Sequence, residues 1–406
     1  MPFLIAAIFI DAVGLGIIFP VLTPVIAEDS LGLVTGVPLS TRELILGAIF
    51  AAYALGMFFG APVLGALSDR YGRKRILVVS LLGTAAGFLI GAGGLLVGSV
   101  LVLFLSRLVA GGFAGTLATA QAAMVDGVPA DRRANALGVA MVANPVGFAV
   151  GPELGALLIG SGTTALAYAI PFLFMTLAAG ADAVLIQLLY RGGPATDPKR
   201  KVSLLAGIWM VRDALSTNAL RWLTIAFFLF GVGWTVLQNA VPVLLVERFR
   251  DPGALGPLMS WIGIWFGVGV LVGIRVALKF VSVRQAAVIS LVVTGVASLL
   301  LDMASRDAAA FVVAVPWALG ASIAYIAIAT LYSQAVGPDQ QGSILGLVGG
   351  VFALTWVIGP IVGGLLEGYG ILLPGILGAF LAIAGAGVLA LRHPRSTDEA
   401  APAPAG

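Results

Sequence analysis

Cysteine is absent from the 406 residues, and histidine occurs once, at His393. The first absence excludes disulfides, thiolate nucleophiles and Cys-based metal sites. The second leaves no histidine cluster for a metal, so neither metal nor cofactor is expected. Charge is scarce as well: 10% of residues are charged, against about 25% in a soluble domain. Hydrophobic residues make up 60%, and the mean hydropathy is +1.08. That pairing excludes an ordinary water-soluble enzyme, a disordered protein and a nucleic-acid binder. It points instead to a polytopic protein of the lipid bilayer. No catalytic His/Cys/Ser constellation is present, so an enzyme is not expected. No P-loop is present either, which argues against ATP as the energy source. No basic stretch or small-residue cleavage site precedes the first apolar run, so no cleaved leader is expected.

Long apolar runs punctuated by charged or Gly/Pro-rich breaks predict twelve spans, at 3–27, 43–67, 76–96, 98–124, 135–160, 165–190, 219–246, 255–280, 284–303, 308–335, 341–366 and 370–391. Helices are the expected element, because runs of this length exceed barrel strands and lack strict alternation. The fold class is therefore all-α integral membrane.

The net charge of +3 and pI near 9.3 are explained by where the bases fall. With the N-terminus in the cytoplasm, seventeen of them lie at cytoplasmic loops and helix ends: Arg70, Arg73, Lys74, Arg75, Arg132, Arg133, Arg191, Lys199, Arg200, Lys201, Arg212, Arg221, Arg275, Lys279, Arg284, Arg392 and Arg395. Only Arg42, Arg248, Arg250 and Arg306 fall outside, and Arg107 lies within a span. This asymmetry places both termini in the cytoplasm.

The most polar long connection, 191–218, divides the chain into an N-terminal bundle (1–190) and a C-terminal bundle (219–392), followed by a polar tail (393–406) predicted to be disordered. The halves look duplicated. FPVLTPVI (Phe19–Ile26) matches VPVLLV (Val241–Val246), and VGPELGALL (Val150–Leu158) matches IGPIVGGLL (Ile358–Leu366). The bland alternative is convergent use of Gly and Pro in helices. Two six-helix halves joined by a basic central loop are also the layout of major facilitator transporters, whose site lies between the halves near the midplane.

The sharpest motif is GALSDRYGRKR, Gly65–Arg75. Gly65 is expected to permit close helix approach, and Gly72 suits a tight reversal. A topogenic loop needs only positive charge, not this order of residues. The segment closely resembles the major facilitator signature. By that resemblance Gly65, Asp69, Arg70, Gly72 and Arg73 form a cytoplasmic gating motif. Asp69 and Arg73 then cluster with Asp126 at the end of the fourth span and latch the outward-open state. The corresponding segment of the second half, Gly273–Arg284, lacks the Asp and the second Gly.

Arg107, in RLVAGGFAG, lies about nine residues inside the fourth span, roughly 13 Å deep and too far to snorkel comfortably. A guanidinium at that depth needs a partner. Backbone carbonyls are one possibility. Asp11, roughly 15 Å into the first span, is the natural side-chain partner. The segment FIDAVGLGIIFPVLTPVI resembles the first helix of tetracycline and multidrug efflux proteins, and the resemblance makes Asp11 and Arg107 the proton-coupling pair. Asp11 merely hydrogen-bonding to neighbouring helices is the alternative.

In ANPVGFAVGPELGALL, Gly147, Gly151 and Gly155 share one helix face, and Pro152 removes a backbone hydrogen bond. With Pro152 they resemble the antiporter motif of this superfamily. Glu153 departs from the usual small residue; a second proton site, a substrate contact and an outward-facing polar residue all remain open for it. Asp182 in the sixth span is equally open. Tyr53, Asn144, Gln238, Asn239, Tyr325 and Trp356, together with Trp234, Trp261 and Trp265, are candidates to line a substrate cavity. An aromatic lining with a few amides suits an amphipathic or aromatic ligand. Lipid-facing belt positions are the other reading for the aromatics.

The resemblance thus implies a plasma-membrane exporter of tetracycline-like or multidrug compounds, exchanging substrate for protons by alternating access and working as a monomer; the Gly- and Ala-rich composition is compatible with a bacterial origin. Its rivals are an exporter of an endogenous metabolite (a sugar, siderophore or lipid-type molecule) and a non-transporting sensor.

Overall fold

Hydrocarbon offers no partner to backbone N–H and C=O groups, so each apolar run must satisfy them within itself, as a helix. The computed structural model describes residues 2–129, 133–192, 202–244, 254–304, 307–337, 341–370 and 372–391. All regular structure among these is helical: α1 (Pro2–Gly16), α2 (Phe19–Ile26), α3 (Leu39–Tyr71), α4 (Arg73–Val97), α5 (Val100–Gly112), α6 (Thr116–Asp126), α7 (Arg133–Ile159), α8 (Ala165–Leu189), α9 (Ala206–Ser216), α10 (Asn218–Leu244), α11 (Leu255–Val268), α12 (Ile274–Ala277), α13 (Val283–Asp302), α14 (Asp307–Gln334), α15 (Gln341–Glu367) and α16 (Leu373–Leu391). A π-helical stretch, Gly269–Gly273, joins α11 to α12.

These form twelve spans, matching in number and order those read from the sequence. Three are interrupted. The first breaks at Ile17–Ile18, just before Pro20 enters the first turn of α2. The fourth breaks at Phe113–Gly115, where the Phe113 ring fills the space that a side chain on Gly83 would need. The eighth carries the π-helical stretch.

The packing has an internal two-fold pattern. In the N-terminal half α1 packs on α7, α4 on α8, and α3 on α5; in the C-terminal half α10 packs on α15, α13 on α16, and α11 on α14. Each of these pairs maps onto its counterpart when the halves are exchanged. The two seams between the halves, α3 with α15 and α7 with α11, map onto each other as well.

The α3–α15 seam is tight at one end only. A methyl placed on Gly47 would lie 2.2 Å from the Pro360 carbonyl oxygen, and one on Gly364 would lie 2.4 Å from the Glu43 carbonyl oxygen. Farther along, an apolar gap of about 300 Å³ separates Leu55, Phe58 and Phe59 from Leu354 and Val357. The seam is therefore a fork.

The central connection differs from its sequence reading as a polar loop, because α9 lies within it. Its Gly207 rests on the Phe58 ring and its Met210 lies beside Gly346, so it bridges the fork. Residues 193–201 and the tail 393–406 are outside the described residues.

Candidate functional site

At 33 residues, α3 is about 50 Å long, well beyond a hydrocarbon core of about 30 Å, and its last turns carry the signature segment past the apolar region. Gly72 ends it with φ +94°, a conformation that disfavours other residues, and α4 starts at once with Arg73. This reversal aims Arg73 back along α3. Its Nη1 pairs with the Asp69 carboxylate and donates to Ser68 Oγ at 2.6 Å, while its Nε reaches Asp126 Oδ2 at 3.2 Å, the last residue of α6. Asp69 and Arg73 are mostly covered, whereas Asp126 is 42% exposed. Arg70 turns away and stacks over Tyr71.

Gly65 departs from its expectation of close helix approach. A methyl there would meet nothing within 4 Å. Gly65 and Gly47 are eighteen residues apart, five full turns, and so point the same way. Gly47 lies where α15 is against α3, and Gly65 lies where the fork has opened.

Arg107 is also placed differently. It is 1% exposed, and no carboxylate lies within 4.0 Å of it among the described residues, so the expected ion pair with Asp11 is not formed. Its guanidinium sits 4.6 Å from the centroid of Phe88 and 4.9 Å from that of Phe172. Ring faces carry partial negative charge, which substitutes for a carboxylate. Gly91 makes the arrangement possible, since a side chain there would occupy the Phe172 ring. Nη2 has no hydrogen-bond partner, and Nε has only Ser106 Oγ at 3.5 Å. The two rings come from the third and sixth spans, so no local pattern around Arg107 announces them. Asp11, half-buried on α1, lies with Arg107 in the electrostatic surroundings of Tyr53 on α3.

Beside Asp11, the backbone of α1 is pressed onto α7. Methyl groups placed on Gly147, Gly151 and Gly155 would lie 2.5 Å, 2.6 Å and 2.9 Å from the carbonyl oxygens of Phe9, Val13 and Ile17. The four-residue spacing of the glycines thus meets a four-residue ladder of carbonyls. Gly16 in turn makes room for Pro152. In the second half Gly359 lies against the Thr235 side chain and Gly363 near the Val236 carbonyl oxygen of α10, so the glycines face the same helix without repeating the carbonyl ladder.

Of the cavity candidates, Tyr53, Asn144, Tyr325 and Trp356 are half-buried. Gln238 and Asn239 are buried instead of lining open space, at 1% and 6% exposure. Asn239 Nδ2 donates to the Thr235 carbonyl, and the side-chain oxygens of both amides lack partners. Trp234 stacks on Trp317 with centroids 4.0 Å apart, inside the C-terminal half. Trp261 and Trp265 meet edge to face, and the Trp261 indole donates to the Phe311 carbonyl. Tyr325 and Trp356 each contact Phe352, which stacks on Phe227. Phe227 and Phe352 are aromatic contributors that the sequence reading passed over among 21 phenylalanines. Asp182 is 2% exposed with neither carboxylate oxygen hydrogen-bonded. Glu153 faces the α7–α11 seam, its Oε2 3.2 Å from where a methyl on Gly256 would sit.

Twelve spans fall into two bundles related by internal symmetry and meeting along two seams, a layout in which transporters place their site between the repeats. The model of the Major Facilitator Superfamily matches residues 4–360, and the chain belongs to that family. It is 29% identical over 365 residues to the class C tetracycline resistance protein of Escherichia coli, covering 88% of this chain and 87% of that one. The class E protein of E. coli is 28% identical over 371 residues, covering 87% and 84%. Among solved structures, the human organic anion transporter MFSD10 superposes with a TM-score of 0.72 at 19% identity, covering 96% of this chain and 98% of that one. The POT family transporter PepTSo does so with 0.72 at 14%, covering 96% of each. These two likenesses establish the fold. The protein is thus a multi-pass plasma-membrane transporter acting on small molecules.

Proposed function

We propose that this chain is a proton-coupled antiporter that exports tetracycline-like or other amphipathic aromatic compounds by alternating access. The observation that carries the reading is Asp11: a half-buried carboxylate deep in the first span, with no basic side chain within 4.0 Å among the described residues. An acid inside the hydrocarbon and without a counter-ion is a functional group by default, and proton exchange is the simplest chemistry open to it. Tyr53 and Arg107 stand near enough for their fields to change with its charge. The two tetracycline resistance relatives, aligned over most of both chains, support the substrate class.

The basic residues orient the fork toward the cytoplasm, with both termini on that side. The conformation is then inward-facing: closed at Gly47–Pro360 and open where Gly65 has no neighbour. Substrate would enter between the halves past Asn144, Tyr325 and Trp356. Separation of the opposite end would then uncover Gln238 and Asn239. Closing the fork brings the N-terminal end of α15 onto the free face of Gly65. The Asp69–Arg73–Asp126 cluster, expected from the resemblance to latch the outward-open state, is already formed with the fork open, so in this scheme it shapes the α3–α4 corner that has to receive α15 rather than latching one state by itself, while Gly147, Gly151, Pro152 and Gly155 hold the Asp11 helix. The chain works as a monomer in this scheme.

The test is accumulation of tetracycline and ethidium in efflux-deficient cells expressing wild type or Asp11→Asn, with and without a protonophore. Lower accumulation in wild type alone, abolished by the protonophore, is the expected result. Equal accumulation in all arms refutes drug export and moves the search to an endogenous metabolite.

A further inference from the structure

The groove in the fork is lined by Leu55, Phe58, Phe59, Ile208, Val211, Leu354 and Val357, without a polar side chain. Its volume of about 300 Å³ is at the lower end of ligand pockets. Its third wall is α9, which is held at several points. Gly207 allows contact with Phe58, Ala214 is buried, and Arg221 caps the far end by donating from Nε to the Leu215 carbonyl at 2.7 Å and from Nη2 to that of Ser216 at 3.4 Å. The outer surface of this segment is apolar and uncovered: Leu204, Leu205, Trp209 and Leu215 are each at least 40% exposed. The guanidinium of Arg212 lies over the Trp209 ring at 5.2 Å, has no carboxylate within 4.0 Å among the described residues, and is exposed.

A Trp stacked under an Arg beside exposed leucines is the chemistry of the bilayer interface, where the ring sits at headgroup depth and the cation meets phosphate. We infer that the α3–α9–α15 groove is a phospholipid site: an acyl chain of the adjoining leaflet fills it, and Arg212 holds that lipid's phosphate. In a twelve-span membrane protein, an apolar cleft that opens sideways between two spans toward the bilayer, with its α9 wall at headgroup depth, fills with hydrocarbon. Asp213 cancels the charge of Arg212 along the helix, so recognition is local to the phosphate rather than driven by net surface charge. Lipid and α9 together wedge the fork open, and both must yield when α3 and α15 converge. Lipid binding is inferred from the membrane fold alone; the wedge role rests on the alternating-access reading proposed above.

The test uses the purified full chain in a phosphate-free detergent, titrated with phosphatidylcholine brominated on its acyl chain, and reads tryptophan quenching. The Trp209 component, one of seven tryptophans, is taken as wild type minus Trp209→Phe. Saturable quenching is expected, needing about ten-fold more lipid in Arg212→Gln, the loss of one charge-assisted contact. Brominated diacylglycerol, which lacks the phosphate, should resemble that variant, and Val357→Phe should abolish the saturable phase by filling the groove. Quenching that never saturates, or that is the same in both variants, means general annular contact and overturns the site. An unquenched Trp209 overturns it too. Displacement of the lipid by tetracycline would make the groove a drug site instead.

Discussion

Gly151→Ala and Gly65→Ala are the same chemical change in two helices, and the structure assigns them opposite signs. At Gly151 the new methyl would lie 2.6 Å from the Val13 carbonyl oxygen and 2.9 Å from Gly16 Cα and Ile17 N. Reaching ordinary contact requires α1 to retreat by roughly 0.8 Å, and all the neighbours are backbone in a close-packed interior, so no side chain can swing aside. Gly147 and Gly155 pin α1 on either side. Overpacking of this kind costs about 1–3 kcal/mol, offset by about 1 kcal/mol of better helix propensity. At Gly65 the methyl meets nothing within 4 Å, leaving only the propensity gain of about 1 kcal/mol. The variants should therefore differ by about 1–3 kcal/mol in stability. Thermal unfolding of the purified chain followed by tryptophan fluorescence reads the difference, with Gly151→Ala melting first. Transport into vesicles should separate the two again: Gly65→Ala unfolds no earlier than wild type yet turns over slowly, because the closing fork needs that face bare. Equal melting temperatures would refute the packing argument. A stable Gly65→Ala with unchanged turnover would refute fork closure at that point.

Other outcomes follow from individual contacts. Asp126→Asn weakens a half-exposed pair worth under about 1 kcal/mol, so turnover should slow less than about five-fold, while Arg73→Ala, which removes the contacts to Asp69 and Ser68 as well, should slow it further; initial rates in vesicles decide. Asp302 is fully buried and accepts from the Gly375 N–H at 2.9 Å in the first turn of α16, so Asp302→Ala should cost about 1–3 kcal/mol, seen as earlier thermal unfolding. Phe172→Leu removes one ring from the Arg107 sandwich and should destabilise the N-terminal half more than Phe352→Leu does the C-terminal half, read by limited proteolysis of the two halves.

Composition, periodicity and the distribution of Lys and Arg were enough to number the spans, because hydrocarbon leaves the backbone no alternative to the helix. Motif order identified the Asp69–Arg73–Asp126 neighbourhood, since Gly72 forces the reversal that brings Arg73 back on α3. The glycine face of α7 was legible for the same reason: a four-residue spacing is a property of one helix. Partners were not. Arg107 lies between Phe88 and Phe172 rather than on Asp11, and Gln238 and Asn239 are covered, because these outcomes depend on how whole helices lean and on which end of the seam is shut. Gly65 has the sequence context of a close contact and, in this conformation, open space around it. The fork, and α9 set across it, arise from two helices distant in the chain diverging from a shared contact at Gly47 and Pro360. Local pattern fixes what each helix is and which face it offers. Which neighbour meets that face is decided only by the packing of all twelve together.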